Sequence, residues 1–110
     1  MERRSPLITS GDTVTTPFQK ECRQACEAVL SEILPGWHAE FVLVTGKHES
    51  YYKAEVHAGA RSLGIFIYDD EAGFLIDGKD WSGFEKPDYR DSADLIDAFS
   101  SSVRRTLLSA

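Results

Sequence analysis

Residues 79–89 combine the residue types most suited to recognition chemistry in this sequence. The segment reads Lys-Asp-Trp-Ser-Gly-Phe-Glu-Lys-Pro-Asp-Tyr, so aromatic residues are interleaved with acids. Trp and Tyr are enriched among the residues that dominate protein–protein binding energy, and carboxylates around them steer the approach of a basic partner. The segment therefore predicts a partner-binding surface anchored by Trp81 and Tyr89. The predicted contact residues are Asp80, Trp81, Glu85, Asp88, Tyr89, Asp91 and Asp94.

The same aromatic residues also have a structural interpretation, because a long loop in a small domain needs an anchor on the core. For Phe84 we expect this packing role. For Trp81 and Tyr89 the sequence leaves two interpretations open: a binding anchor, or a side chain that holds the loop in place. The position of each ring relative to the core decides between them.

Negative charge is concentrated in one part of the chain. The net charge is −6 over 110 residues, and residues 69–97 hold ten acids against three bases. The rest of the chain has eight acids and nine bases and is nearly neutral. Such a field attracts basic surfaces and argues against nucleic-acid binding. The alternative is that these acids form a solvated face that keeps the protein soluble.

Catalytic motifs are scarce in the sequence. It contains no glycine-rich phosphate loop, no nucleophile elbow and no His-Glu-x-x-His zinc signature. Asp77 with Asp80 or Glu85 could form an acid–base pair, but nothing singles out one pair. We therefore predict a protein that binds rather than one that catalyses, and we predict no cofactor. The alternative from another class is a small enzyme with a pocket beneath residues 78–90.

Cysteine and histidine do not specify a redox or metal site. Cys22 and Cys26 lie four residues apart within the apolar stripe of a predicted helix, where a free thiol behaves as a small hydrophobic side chain. His38 and His57, each two residues from a glutamate, could supply zinc ligands if the strand register brought them together. Because nothing in the sequence fixes that register, we predict no metal site.

Two amphipathic helices enclose the central part of the sequence. The segment Thr16-Pro17-Phe18-Gln19 has an N-cap, a proline at the first helical position and a capping-box glutamine, and Pro35-Gly36 ends this helix. Asp91-Ser92-Ala93-Asp94 opens a second helix, with acids at its positive end and Arg104 and Arg105 near the other. Apolar residues recur every three or four positions in both, so each helix buries one face.

Four strand-like runs lie between the helices, at residues 37–45, 51–58, 61–68 and 74–77, and residues 78–90 are predicted to be a long loop. Short links between successive strands favour an antiparallel meander. The predicted fold is α+β: a four-stranded antiparallel meander sheet with an N-terminal and a C-terminal helix, in the order α-β-β-β-β-α. Both helices are expected to pack on one sheet face.

The opposite sheet face would then expose apolar residues. A contiguous apolar patch is unusual on a monomer, so it predicts either a bound partner or a homodimer, such as a dimeric chaperone or structural subunit. The alternative cover is residues 1–15, predicted to be a flexible tail before a single domain of residues 16–110. The predicted dimer face is Val42, Val44, Tyr51, Phe66 and Tyr68.

Size, charge and layout lead to an expected function. No run approaches the ~20 apolar residues of a membrane helix, and Arg3-Arg4 precedes no secretory apolar run, so we expect a cytoplasmic protein without membrane attachment. In general character the chain looks like bacterial immunity proteins, antitoxins and phage-encoded inhibitors. That likeness implies a non-catalytic, stoichiometric inhibitor that docks on the basic surface of a protein such as a nuclease or toxin.

Overall fold

One helix precedes the sheet and a second helix follows it in the computed structural model, which describes residues 15–34, 41–45, 50–58 and 60–109. Strands that are consecutive in sequence are neighbours in the sheet, and every neighbouring pair is antiparallel. The α+β class and the antiparallel meander are therefore confirmed. The elements are α1 (Pro17–Ile33), β1 (Val42–Thr45), β2 (Ser50–Ala58), β3 (Arg61–Ile67), β4 (Glu71–Ile76), β5 (Asp80–Glu85), a 3-10 turn (Lys86–Asp88) and α2 (Ser92–Leu108).

The sheet has five strands, so the prediction of four was wrong by one. The additional strand, β5, lies within residues 78–90, which were predicted to be a loop. Asp77 and Gly78 have positive φ values of 53° and 73°, the backbone conformation of the tight hairpin turn for which Asp-Gly is a strong signal. Ser82 and Gly83 have little strand propensity, so the composition of the segment concealed the strand.

The remaining strand boundaries differ from the predicted ones by a few residues. β4 begins at Glu71 rather than Phe74, because only residues 69–70 form the turn after β3. The predicted tail lies outside the described residues except for Thr15, and so do residues 37–40 of the first predicted strand.

Gln19 fixes the start of α1 and ties this helix to the sheet. Oγ1 of Thr16 accepts a hydrogen bond from the backbone N–H of Gln19 (3.2 Å), and Oε1 of Gln19 accepts one from the backbone N–H of Thr16 (2.8 Å). This is the predicted capping box. The buried amide Nε2 of Gln19 also donates to the carbonyl of Ser50 at 2.8 Å, where β2 begins.

The second helix starts and packs by similarly local contacts. The Asp91 carboxylate caps α2 by accepting from the backbone N–H of Asp94 at 2.9 Å. Further along α2, the guanidinium of Arg104 donates two hydrogen bonds to Glu32 of α1, at 3.0 and 2.6 Å. No helix in the described ranges has the length and apolar content that crossing a membrane requires.

Both helices pack on the same face of the sheet, which we call the inner face. One hydrophobic cluster joins the helix residues Cys22, Leu30 and Phe99 to Ile65 and Phe74 of the sheet. The opposite face, which the described parts of the helices leave uncovered, is called the outer face. Its residues alternate with the buried ones along the strands: Val42, Val44, Tyr51, Lys53, Glu55, His57, Phe66, Tyr68, Glu71, Leu75, Trp81 and Glu85.

Candidate functional site

Four aromatic rings meet on the outer face and form what we call the aromatic cluster: Tyr51, Phe66, Tyr68 and Trp81. The ring centroids of Tyr51 and Tyr68 are 4.9 Å apart, and those of Phe66 and Trp81 are 6.0 Å apart. Phe66 and Tyr68 are nearly parallel, with 6° between the ring planes and 6.4 Å between centroids. These separations fall in the range where aromatic rings attract one another beyond simple area burial.

Two glycines create the space in which the Trp81 indole lies. Gly73 and Gly83 are direct partners in the β4–β5 pairing, and Gly73 also pairs with Phe66 of β3. A Cβ atom on Gly73 would lie 2.6 Å from the benzene-ring edge of Trp81, and one on Gly83 would lie 2.7 Å from its Nε1 atom. The indole therefore lies down over the bare backbone of these two residues, which we call the glycine bed. It still keeps 45% of its surface exposed.

An open pocket of about 570 Å³ lies beside the indole. Phe66, Leu75 and Trp81 give it apolar walls, while Tyr68, Asp70 and Glu71 give it polar ones. Pockets that combine apolar walls with a few convergent polar groups are the usual form of a recognition site. The pocket therefore joins apolar and acidic side chains in one part of the outer face.

Carboxylates converge at one end of this pocket, and we call Asp70, Glu71 and Glu85 the acidic end. Glu71 and Glu85 face each other across β4 and β5. The Asp70 carbonyl accepts a hydrogen bond from the backbone N–H of Lys86 at 3.1 Å, which holds the turn before β4 against the end of β5. Partial burial raises the pKa of Glu71, and the negative charges of Glu85 and Asp70 raise it further.

The acidic end has no cation of its own among the described residues. The ion pairs in this part of the chain involve other acids, such as Asp77 with Arg61 and Asp94 with Arg90. Lys86 is adjacent to Glu85 in sequence, but its Nζ lies 4.6 Å from the centre of the Phe18 ring of α1. The negative potential at this end is therefore available to an external positive charge.

The seven residues predicted to contact a partner do not form one surface. Trp81 and Glu85 lie on the outer face, beside the aromatic cluster. Asp80 lies at the other end of β5, about 17 Å from Glu85 by the rise of a strand. The remaining four lie beyond β5: Asp88 is exposed in the 3-10 turn, Tyr89 packs against the core, Asp91 caps α2 and Asp94 pairs with Arg90 at 3.1 Å.

The aromatic residues of this segment were predicted either to pack on the core or to act as binding anchors, and the structure places their rings differently. Phe84 packs on the inner face against Phe74 and Phe99, with centroids 6.3 and 5.8 Å apart, as expected for a core anchor. Tyr89 lies behind Phe84, with ring centroids 6.4 Å apart and ring planes tilted by 35°, and is half-buried. Trp81 alone of the three points away from the core, so it is the ring that can act as a binding anchor.

The predicted dimer face does lie on one side of the sheet. Tyr51, Phe66 and Tyr68 belong to the aromatic cluster, and Val42 and Val44 extend the same face along β1, where Val42 is 61% exposed. Lys53 separates Val42 from Phe66 in the strand pairing, and its Nζ lies 5.7 Å from the centre of the Phe66 ring. The patch is therefore apolar with a cation within it.

Sequence reasoning missed the connection between the two predicted surfaces. Because residues 78–90 were treated as a loop, Trp81 and Glu85 were assigned to a different surface from Phe66 and Tyr68. Gly73 and Leu75 were not singled out, and Glu71 was not among the predicted contact residues. The Asp77-Gly78 turn was the available signal for a hairpin, but only the observed connection of residues 77–79 places Trp81 opposite Leu75.

Groups with other chemistry lie elsewhere. Burial raises the pKa of the Cys22 thiol to about 12 and that of the Cys26 thiol further, so both stay protonated in the core. Within the described ranges, no three His, Cys, Asp or Glu side chains are grouped as metal ligands would be. His57 and Glu55 are neighbours at 3.9 Å on the outer face, whereas His38 and Glu40 lie outside the described residues.

No protein family, curated protein or solved structure matches this chain. What the protein does is therefore inferred from the outer face itself: its aromatic cluster, its pocket and its acidic end.

Proposed function

We propose that this is a small acidic protein-binding domain that docks its outer face on a basic surface of a protein partner. In this proposal it acts as a non-catalytic, stoichiometric inhibitor, in the manner of immunity proteins, antitoxins and phage-encoded inhibitors, on a partner such as a nuclease or toxin. The observation that supports it is the aromatic cluster beside carboxylates that have no cation of their own among the described residues.

The aromatic cluster supplies the apolar part of such an interface. Aromatic side chains each carry about 150–250 Å² of surface, so covering several of them removes a large apolar area from water. Trp81 is well placed as the central anchor, because it is exposed and yet held on its glycine bed. A Trp of this kind is a typical hot-spot residue.

The acidic end supplies the charge preference. A net charge of −6 repels nucleic acid and speeds the approach of a cationic protein. The residue set predicted from the sequence changes accordingly. Trp81 and Glu85 stay at its centre, Asp70 and Glu71 join them, and Asp80, Asp88, Asp91 and Asp94 become candidates for long-range steering.

A homodimer through the outer face is the second candidate, and the exposed Val42 with the half-buried Val44 beside it on this face favours it. Two copies, each with a net charge of −6 and an acidic end on the contact face, would repel one another. A basic partner meets no such repulsion and is the better match.

The pocket expected beneath residues 78–90 in the small-enzyme alternative would lie on the inner side of β5. In the described part of the chain that space holds Phe84, packed on Phe74 and Phe99. An open pocket lies instead on the other side of the strand.

Affinity capture with matched variants tests the proposed function. The full chain, Trp81→Ser and Leu108→Ser are immobilised, and proteins retained from a cell extract at low and high salt are quantified by mass spectrometry. Leu108 is the matched control, because it is an exposed apolar residue (64%) on α2. We expect basic proteins to be retained by the wild type and by Leu108→Ser at low salt, and to be lost at high salt or with Trp81→Ser.

The captured partner is then purified and titrated with the wild type. One equivalent of the domain should saturate the partner and suppress its activity. Retention by Trp81→Ser equal to that by the wild type, or binding indifferent to salt, would contradict the proposal.

A further inference from the structure

The pocket on the outer face combines two walls of different character. One wall is aromatic and apolar, from Phe66, Leu75 and Trp81, and the other carries the carboxylates of Asp70 and Glu71 with Glu85 directly across from Glu71. A ligand that fits both walls must present a flat apolar surface and a positive charge on the same group.

Among protein side chains, arginine meets that requirement best. Its guanidinium is planar, stacks on aromatic faces and offers a fork of N–H donors that matches carboxylates two at a time. A lysine ammonium is a compact, strongly hydrated point charge, which uses the carboxylates but gains less from the rings. A neutral side chain would leave the facing carboxylates uncompensated.

A cation already contacts the aromatic cluster within the protein. Lys53 lies over the Phe66 ring from the next strand, with its Nζ 5.7 Å from the ring centre. This contact lies on the β2 side of Phe66, whereas the pocket lies towards β4 and β5. On the β2 side, Phe66 thus already attracts the positive charge of Lys53. On the pocket side, the rings face an open space.

Resting on the proposed function, we propose that this pocket receives the guanidinium of a single arginine of the partner protein, which stacks on Trp81 and pairs with Glu71 and Glu85. The arginine reaches the pocket from outside the sheet, because the pocket is open to solvent and lies beside the exposed indole of Trp81. The site therefore recognises a basic partner through one specific arginine and not only through the partner's overall positive charge.

Short peptides test the pocket without knowledge of the partner. Acetyl-Gly-Arg-Gly-amide is titrated into the ¹⁵N-labelled full chain, and the indole N–H signal of Trp81 is followed by NMR after assignment with Trp81→Phe. The matched peptides replace arginine with lysine or with citrulline, the neutral isostere. We expect the arginine peptide to shift the Trp81 signal saturably, the lysine peptide to bind more weakly and the citrulline peptide to leave the signal unchanged.

Charge variants complete the test. Glu71→Gln should weaken the arginine peptide about fivefold, the loss expected for one charge-assisted contact at a partly exposed site. Asp97→Asn, which removes an exposed carboxylate on α2, should leave the affinity unchanged. Both are conservative surface changes, and thermal unfolding confirms that each variant is folded. Equal binding of the arginine and citrulline peptides, or no loss in Glu71→Gln, overturns the proposal.

Other occupants of the pocket give distinct results. A Trp81 signal that depends on protein concentration without peptide would place a second copy there. A signal that shifts in an Arg3→Gln/Arg4→Gln variant without peptide would place the chain's own N-terminal arginines there. Either result overturns the assignment of the pocket to a partner.

Failure of the inference and failure of the proposed function are distinguishable. If no arginine peptide binds but Trp81→Ser still abolishes capture of a basic protein, the pocket assignment fails alone. If the peptide binds as described but no captured protein depends on Trp81, the protein-inhibitor proposal fails and the arginine site stands.

Discussion

Phe74 on the inner face and Phe66 on the outer face each contact other aromatic rings, yet they meet water very differently. Phe74 packs on Phe84 and Phe99 and is 1% exposed. Phe66 contacts Tyr51, Tyr68 and Trp81 and remains half-buried. Rings on the inner face are covered by helices, whereas among the described residues the rings on the outer face are covered by one another and by the Lys53 side chain.

The difference shows that the inner face stabilises the fold, whereas the outer face contains features that do not. The inner face removes apolar surface from water, which is the main favourable contribution to folding. The outer face leaves an aromatic cluster partly exposed and sets Glu71 opposite Glu85, an arrangement that costs stability in the free protein. Such departures are expected at binding sites, where stability is given up for recognition.

Removing one ring from each face should give the largest difference in the free energy of unfolding. Phe74→Ala should lower the free energy of unfolding by about 3–5 kcal/mol, because it leaves a cavity among buried rings. Phe66→Ala should cost less, about 1–2 kcal/mol, because the Phe66 ring is only half-buried and its loss leaves a space open to solvent. Urea denaturation measures both. Equal costs would mean that the outer face is covered in solution and would break the contrast.

A smaller loss of stability is expected when a methyl group is added to a glycine in the strands of the sheet. Gly73→Ala should cost about 2 kcal/mol and displace the Trp81 indole, because its Cβ would lie 2.5 Å from the backbone oxygen of Ser82 and 2.6 Å from the indole. Gly64→Ala is the matched control on β3, where the nearest atom is a ring carbon of Phe66 at 3.4 Å.

For Gly64→Ala we expect a change within about 0.5 kcal/mol. Unfolding curves give the two stabilities, and the indole N–H signal reports the position of Trp81. An unmoved indole in Gly73→Ala would contradict the glycine bed described above.

The smallest effect concerns the charge of Glu71. Its raised pKa means that the folded protein holds this proton more tightly than the unfolded chain does. The associated stabilisation is therefore present at low pH and is lost as the pH rises through the raised pKa. Glu71→Gln removes that loss and should stabilise the free protein at neutral pH by about 0.5 kcal/mol, the size of one like-charge pair across a sheet.

At about pH 3 both forms of residue 71 are neutral, so the variant and the wild type should then be equally stable. Asp97→Asn serves as the control and should show no such pH-dependent gain. Thermal unfolding across pH measures the difference. A Glu71→Gln variant that is less stable at neutral pH would show that this carboxylate supports the fold instead.

Local chemistry made much of the fold predictable. Thr16 and Gln19 carry a capping box that can be recognised from four consecutive residues, and Asp91 is a typical N-cap. The alternation of Tyr52, Ala54 and Val56 with polar residues gave β2 its inner face. These features depend on neighbours in sequence, and so does the predicted core position of Cys22 and Cys26.

The candidate site was predicted only in pieces, because it depends on strand register. Trp81 and Phe66 are fifteen positions apart, and they meet only when β4 returns from β3 and β5 returns from β4. Strand β5 itself was hidden, since its Ser82 and Gly83 read as a loop. Gly73 matters because the Trp81 indole lies against it, and a contact between different strands cannot be recognised from neighbouring residues in sequence.

The affinity of a captured partner for two matched double variants tests most directly whether the outer face, rather than overall charge, recognises the partner. Glu71→Gln/Glu85→Gln removes both facing carboxylates, whereas Glu21→Gln/Asp97→Asn removes two exposed carboxylates from the helices and gives the same net charge. Isothermal titration should show a loss of at least about tenfold, and a weaker salt dependence, for the first double variant only. Equal losses in both variants would show that the partner senses only total charge and would contradict the assignment of the outer face as the binding site.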